Sequence, residues 1–268
     1  MPAPFVTTDI SGQLIMLGTG TSVGVPTIGC GCAVCQSGDP KNQRTRSSVI
    51  LGLPEGNLLI DTTPDLRHQL LRERIGVVHA VLYTHEHTDH MMGMDDLRLF
   101  PFYLGHPVPL YCEPKVQRRI EQAFEYAFNA EKPTHEGAVP QVRFQNLSLD
   151  PLELLGVKIT PIRLLHGPRF VVLGFRIGRI AYCTDTSAIP AESWELLQDL
   201  DLLILDALRN RPHLTHFSLE QAVEVGQRCG AKRVLFTHIS HELDHHATNA
   251  TLPAHMALAY DGQRINLS

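Results

Sequence analysis

Three histidines and an aspartate able to bind a divalent metal stand in a His-x-His-x-Asp-His pattern within seven residues, in Thr84-His85-Glu86-His87-Thr88-Asp89-His90. A mostly apolar stretch, Val77 to Tyr83, runs straight into this segment. In an extended chain, residues two apart point to the same side. His85 and His87 can therefore address one cation together. The chain then turns, and Asp89 and His90 can reach a second cation a few ångströms away. Neutral imidazole and carboxylate oxygen suit Zn²⁺, Mn²⁺ or Fe²⁺.

A second donor cluster is Gly29-Cys30-Gly31-Cys32-Ala33-Val34-Cys35. Three thiols over six positions suit a tetrahedral Zn²⁺ that lacks one ligand. His241, in Thr237-His238-Ile239-Ser240-His241, is a candidate for the fourth. A redox-active cysteine set or a loop of free thiols is the alternative. The chain holds 15 histidines and 6 cysteines, an unusual load of the former. Cys112, Cys183 and Cys229 read as lone core residues. His68, His79, His106, His135 and His255 lack partners at ligand spacing and read as surface residues.

The His-x-His-x-Asp-His segment resembles the signature of the metallo-β-lactamase superfamily. The resemblance implies an α/β (α+β) chain folded as a four-layer αββα sandwich, one domain over residues 1–268. It also implies further ligands, each following a strand. His166 comes after Leu165, Asp185 after Tyr182-Cys183-Thr184, and His238 after Val234-Leu235-Phe236-Thr237. By this likeness His85, His87 and His166 hold one metal. Asp89, His90 and His238 hold the other, and Asp185 bridges the two. Asp61, ending Leu58-Leu59-Ile60, supports the site by holding a ligand rather than the metal.

The cysteines narrow the likeness. Leu17-Gly18-Thr19-Gly20-Thr21-Ser22, the Cys-x-Cys-x2-Cys set and His238-x2-His241 are similar to the PhnP-like branch, the phosphoribosyl cyclic phosphate phosphodiesterases. The similarity runs from Leu17 to Asp261. It implies a closed structural Zn²⁺ on Cys30, Cys32, Cys35 and His241, beside two active-site cations, Zn²⁺ or Mn²⁺. It implies attack on phosphorus by a metal-bridged hydroxide, with a small cyclic or nucleotide-like phosphodiester as substrate. His216, in Thr215-His216-Phe217-Ser218, matches the histidine that meets the phosphate or protonates the leaving oxygen in such branches. His213 is the weaker match. Arg46 and Arg98 are candidate bidentate phosphate clamps, with structural ion pairs as the alternative. Rival readings are a tRNA 3′-processing nuclease and a non-catalytic metal-binding protein of the same fold. The nuclease needs an arm to grip tRNA, for which Lys132, near Glu131 and Pro133, is the one hint.

Strands and helices must carry these groups. Strands are expected at Gln13–Leu17, Ser47–Leu53, Asn57–Ile60, Val77–Tyr83, Val108–Cys112, Val157–Leu164, Phe170–Ile177, Arg179–Cys183, Leu202–Asp206 and Arg233–Thr237. Pro109 predicts an edge position for its strand. Helices are expected at Pro64–Ile75, capped by Thr63, and at Lys115–Phe128. A third starts at a Ser218/Gln221 capping box and runs to about Arg228. This alternation fits two sheets covered by helices.

Composition bounds the rest. With 268 residues and 43% apolar content the chain can bury a large core. A net charge of −5 disfavours nucleic acid and anionic membrane as broad partners. No apolar run reaches the roughly 18 residues of a membrane span. Met1 to Gln13 lacks a secretory pattern. The expectation is a cytoplasmic protein with a small-molecule partner, a homodimer being left open.

Overall fold

The computed structural model describes residues 5–129, 135 and 137–267. Two compact units are interleaved along the chain. The first comprises Met1–Leu17, Ser48–Ser148 and Arg264–Ser268. Its strands are β1 (Gln13–Gly18), β2 (Ser48–Leu53), β3 (Gly56–Ile60), β4 (Ala80–Leu82), β5 (Val108–Cys112), β6 (Val142–Asn146) and, near the end of the chain, β14 (Arg264–Asn266). They form a sheet in the order β14-β1-β2-β3-β4-β5-β6. β2 and β3 pair as a hairpin, whereas β3 to β6 run parallel.

The second unit comprises Gly18–Ser47 and Leu149–Gln263. Its strands are β7 (Leu152–Leu154), β8 (Val157–His166), β9 (Phe170–Ile177), β10 (Ile180–Cys183), β11 (Leu202–Asp206), β12 (Arg233–Thr237) and β13 (Met256–Leu258). The sheet order is β13-β12-β11-β10-β9-β8-β7. Here too an antiparallel part, β7 to β10, gives way to a parallel part, β10 to β13. Each unit thus has strands whose carboxyl ends line up along one sheet edge, which is where open α/β sheets place ligands. The central parallel strand β4 is apolar and buried throughout, as strands covered on both faces are. Every residue of β11 is buried.

Helices supply that cover. The first unit carries α1 (Leu66–Glu73), α2 (Thr88–Met91), α3 (Phe100–Leu104), α4 (Pro114–Ala123) and α5 (Glu125–Phe128). Its core runs from Ile10 through Leu66, Tyr83 and Met94 to Phe124. The second carries α6 (Leu219–Cys229) and α7 (His245–Asn249), with a core that includes Leu164, Leu205, Phe217 and Phe236. The capping box of α6 is complete: Gln221 N donates to Ser218 Oγ, and Ser218 N donates to Gln221 Oε1. Gly230 ends the helix in the left-handed conformation that glycine adopts without strain.

Three expectations are corrected. Pro109 does not mark an edge, since β5 lies between β4 and β6. The pairing with β4 begins only at Leu110, so the missing proline N–H interrupts no bond to that neighbour. Thr63 does not cap α1. Asp65 stands at the cap position and Thr63 Oγ1 donates to Gln69 Oε1 instead. The Lys115–Phe128 helix is two helices, because Phe124 leaves helical backbone (φ −118°, ψ 39°) as its ring is buried. The short strands β6, β7, β13 and β14 have no counterpart in the sequence reading. Among the described residues no helix is long and apolar enough to cross a membrane.

Candidate metal centre

In the first unit the donors are organised by Asp61. It follows β3 in a left-handed backbone conformation (φ 66°) and is fully buried. Its Oδ1 accepts from Thr84 N at 2.8 Å and its Oδ2 from Thr84 Oγ1 at 2.7 Å. The same Oδ2 accepts from His90 Nδ1 at 2.7 Å. Burial pushes the Asp61 carboxyl up, against the opposing pull of His90. Thr84 has spent its proton on Asp61, so His85 Nδ1–H donates to Thr84 Oγ1 at 2.9 Å. Both His85 and His90 therefore carry the proton on Nδ1 and offer Nε2 as a lone pair. Metal-binding histidines are oriented by such bonds. The His85 ring lies 4.5 Å from His87 and 4.2 Å from His90, centroid to centroid. Asp89 Oδ2 sits 3.2 Å from His90 Nε2.

In the second unit the donors end or follow strands. His166 is the last residue of β8, and its Nδ1–H donates to Thr215 O at 2.8 Å. Asp185 (φ 52°) and His238 (φ 59°) follow β10 and β12, both in left-handed backbone. Asp185 Oδ2 accepts from Thr184 Oγ1, and its Oδ1 lies 3.2 Å from His238 Nε2. His216 packs against both imidazoles: its ring is stacked on His238 at 4.6 Å and edge-on to His166 at 4.8 Å. Its Nδ1–H donates to Asp206 Oδ2 at 2.7 Å. Asp206 ends β11, is fully buried, and also accepts from Thr186 N at 3.1 Å.

Asp206 was not anticipated. The signal was present, since it ends an apolar strand just as Asp61 does. His213 lies one ring away, 5.2 Å from His216. Its Nδ1 accepts from Thr215 Oγ1 at 3.1 Å, and burial together with His216 lowers its pKa. Arg98 makes the structural ion pair that was the alternative to a phosphate clamp. Nη2 is held by both oxygens of Asp95 at 2.7 and 2.5 Å, and Tyr126 also donates to Asp95. The three-residue spacing on one helical turn makes this pairing local and favourable. Arg46 Nε donates to Ser22 O at 3.2 Å, a loop contact. Lys132, with Glu131 and Pro133, lies outside the described residues.

The cysteine cluster belongs wholly to the second unit. Nδ1 of His241 lies 3.2, 3.7 and 3.4 Å from the sulfurs of Cys30, Cys32 and Cys35. A tetrahedral Zn²⁺ with Zn–S of about 2.3 Å and Zn–N of about 2.0 Å separates S from N by about 3.5 Å. The four donors therefore fit a closed zinc site. Cys35 N donates to Cys32 Sγ and lowers its pKa, while burial raises that of Cys35.

The imidazole–carboxylate donors fit divalent cations equally well. Two N or O atoms each about 2.1 Å from one cation lie about 3.0–3.4 Å apart. The Asp89–His90 and Asp185–His238 separations of 3.2 Å fall in that range.

The chain is similar to several known proteins. The model of the beta-lactamase superfamily domain matches residues 56–239. An octanoyltransferase of Porphyromonas gingivalis is 37% identical over 254 residues, 93% of this chain and 50% of that protein. This chain thus spans about half the length of that relative. Ribonuclease Z of Anoxybacillus flavithermus is 27% identical over 288 residues, covering 85% of this chain and 86% of its own. A solved diphosphatase of the PhnP family superposes with a TM-score of 0.89 at 44% identity, covering 96% of this chain and 98% of that one. A family match over more than half of the chain, and a 44% identical structure matched along nearly all of it, establish descent: the chain belongs to the metallo-β-lactamase superfamily and, within it, to the PhnP family of hydrolases.

Proposed function

We propose that the chain is a binuclear, metal-dependent phosphodiesterase for small substrates. In this reading His85, His87 and His166 hold one cation, and Asp89, His90 and His238 the other. Asp185 is their shared ligand, and Cys30, Cys32, Cys35 and His241 hold a structural Zn²⁺. When bound, the two active-site cations supply Lewis acidity toward phosphoryl oxygens and make water a better nucleophile near neutral pH.

The observation that carries the reading is His216. It lies against two expected ligands, and its Nδ1–H is committed to Asp206. Only Nε2 remains to meet substrate. Protonated there, it donates to the leaving oxygen as the P–O bond breaks, so the departing group leaves as an alcohol. Asp206 fixes the tautomer and aim of the ring, as a general acid requires. A β-lactam or thioester reading gives this aspartate–histidine pair less to do. Membership of the PhnP family, one solved member of which is a diphosphatase, supports a phosphorus-centred reaction.

The test is a panel with the metal-loaded protein: bis(p-nitrophenyl) phosphate, a ribose cyclic phosphate, a diphosphate diester, pre-tRNA and an octanoyl thioester. The last two answer the ribonuclease Z and octanoyltransferase relatives. Turnover of the phosphate and diphosphate esters, with pre-tRNA and thioester at background, is expected. Preference for either of the latter two would overturn the reading. His216→Ala should cost about 10²–10⁴-fold with an alkoxide leaving group. The loss should be far smaller with p-nitrophenolate, which departs without a proton.

A further inference from the structure

We propose that Ser47 is a positioning residue for His238, held in place by the Gly18–Ser22 segment and Asp261. The inference rests on the reading of His238 as a metal ligand. His238 adopts a backbone conformation that side-chain-bearing residues seldom take (φ 59°). Something must hold it there, and Ser47 is in contact with it. Ser47 Oγ accepts from His238 N at 3.1 Å, donates to Gly20 O at 3.0 Å, and lies 3.3 Å from Thr237 Oγ1. Both Ser47 and His238 are 1% exposed, so water does not substitute for these bonds.

The next residue is held from the same side. Ile239 N donates to Thr19 O at 2.8 Å and Thr21 N donates to Ile239 O at 3.2 Å. Gly20 thereby bridges Arg46 on one side and Ile239 on the other. No larger residue fits: a Cβ on Gly20 would stand 2.6 Å from Arg44 O and 2.9 Å from Thr45 O. Asp261 bolts the two flanks together. Its Oδ1 accepts from Thr19 N at 2.9 Å and Thr19 Oγ1 at 2.8 Å. Its Oδ2 accepts from Thr45 N at 2.8 Å and Thr45 Oγ1 at 2.6 Å. The cysteine loop leaves and re-enters this clamp between Val25 and Arg44, which exchange both backbone hydrogen bonds. The Gly-Thr-Gly-Thr-Ser stretch therefore has a mechanical role: it sets the angle at which the imidazole of His238 leaves β12.

The experiment compares wild type, Ser47→Ala and Ser47→Thr in the full-length, metal-loaded protein. Hydrogen exchange is read on the peptide spanning Val234 to His241, beside Mn²⁺ affinity and rates on bis(p-nitrophenyl) phosphate. Ser47→Ala should speed exchange of one amide, weaken one Mn²⁺ site about tenfold and lower kcat about tenfold, with KM within about twofold. Cysteine-bound zinc should be unchanged, and Ser47→Thr should restore all three readouts. Wild-type exchange in Ser47→Ala overturns the proposal. So does faster exchange with unaltered Mn²⁺ affinity and kcat, which marks a purely structural serine. If Ser47→Ala fails to fold, Asp261→Asn is measured in the same way, because an amide offers one acceptor oxygen where the carboxylate offers two. A wild type that takes up no Mn²⁺ would sink the ligand reading instead, and the exchange arm still decides whether Ser47 holds the His238 amide.

Discussion

Cys30, Cys32 and Cys35 come to His241 from one short loop, whereas the proposed active-site donors leave the ends of β4, β8, β10 and β12. The two constellations are built differently. The cysteine set uses ordinary backbone apart from Gly29, which takes φ 75° at no steric cost. The imidazole–carboxylate set places Asp61, Asp185 and His238 in left-handed backbone, where a side chain is strained. Three buried, hydrogen-bonded residues in such a conformation at strand ends indicate that the aim of each group is selected against stability. In the proposed function the cysteine site is a staple and the other set a strained instrument.

Breaking the instrument should have the largest effect. Asp185 is the proposed shared ligand, and its loss leaves His238 Nε2 without the carboxylate 3.2 Å away. Asp185→Ala should lower kcat/KM by about 10³-fold or more, since both cations lose a ligand. Elemental analysis should fall from near three metals per chain to near one, the cysteine-bound zinc remaining. Wild-type turnover by this variant would remove Asp185 from the bridging position.

Breaking the staple should act on stability first. A closed zinc site has no open position for substrate and contributes to folding directly. Cys32→Ser should therefore lower Tm by on the order of 10 °C, as the loss of a few kcal/mol does in a chain of this size. The rate on bis(p-nitrophenyl) phosphate at 25 °C should stay within about tenfold, a residual loss passing through the clamp at His238. An unchanged Tm with abolished turnover would reverse the contrast and make the cysteines part of the chemistry.

The same contrast explains what the sequence revealed. The cysteine set and the His85–His90 segment were legible because their donors are neighbours in the chain. Strands β5, β9, β11 and β12 were legible to the residue because a largely apolar run ends where each strand ends. For Arg98 the sequence left two readings open, and its ion pair with Asp95, one helical turn away, is the local one. Asp206 went unread because its place at the end of an apolar strand was visible, but its partnership with His216, ten residues on, was not. The left-handed turns at Asp185 and His238 carry no glycine to announce them, since the side chain itself is what the position requires. Ser47 was invisible for a related reason: its partner is 191 residues away.

The smallest expected effect sharpens the staple side of the comparison. His245 caps the flank of the cysteine loop: its backbone N–H donates to Asn42 Oδ1 at 3.0 Å and its ring is buried. Burial first, then the charges of Lys41, Arg44 and His246, lower its pKa to about 4, while Asp39 pulls the other way. An unfolded chain has this imidazole at its ordinary value of about 6.5. Between these values the unfolded state binds a proton that the folded state refuses. Stability from this group is therefore fully present above pH 6.5 and declines as the pH falls toward 4. His245→Gln removes that one titration and leaves the cysteine cluster itself unaltered. Plotted against pH from 8 to 4, Tm of the variant should begin below wild type, because its packing is altered, and the gap should narrow by a few degrees, about the worth of one group. Parallel curves would show that His245 does not contribute to the acid lability of this flank.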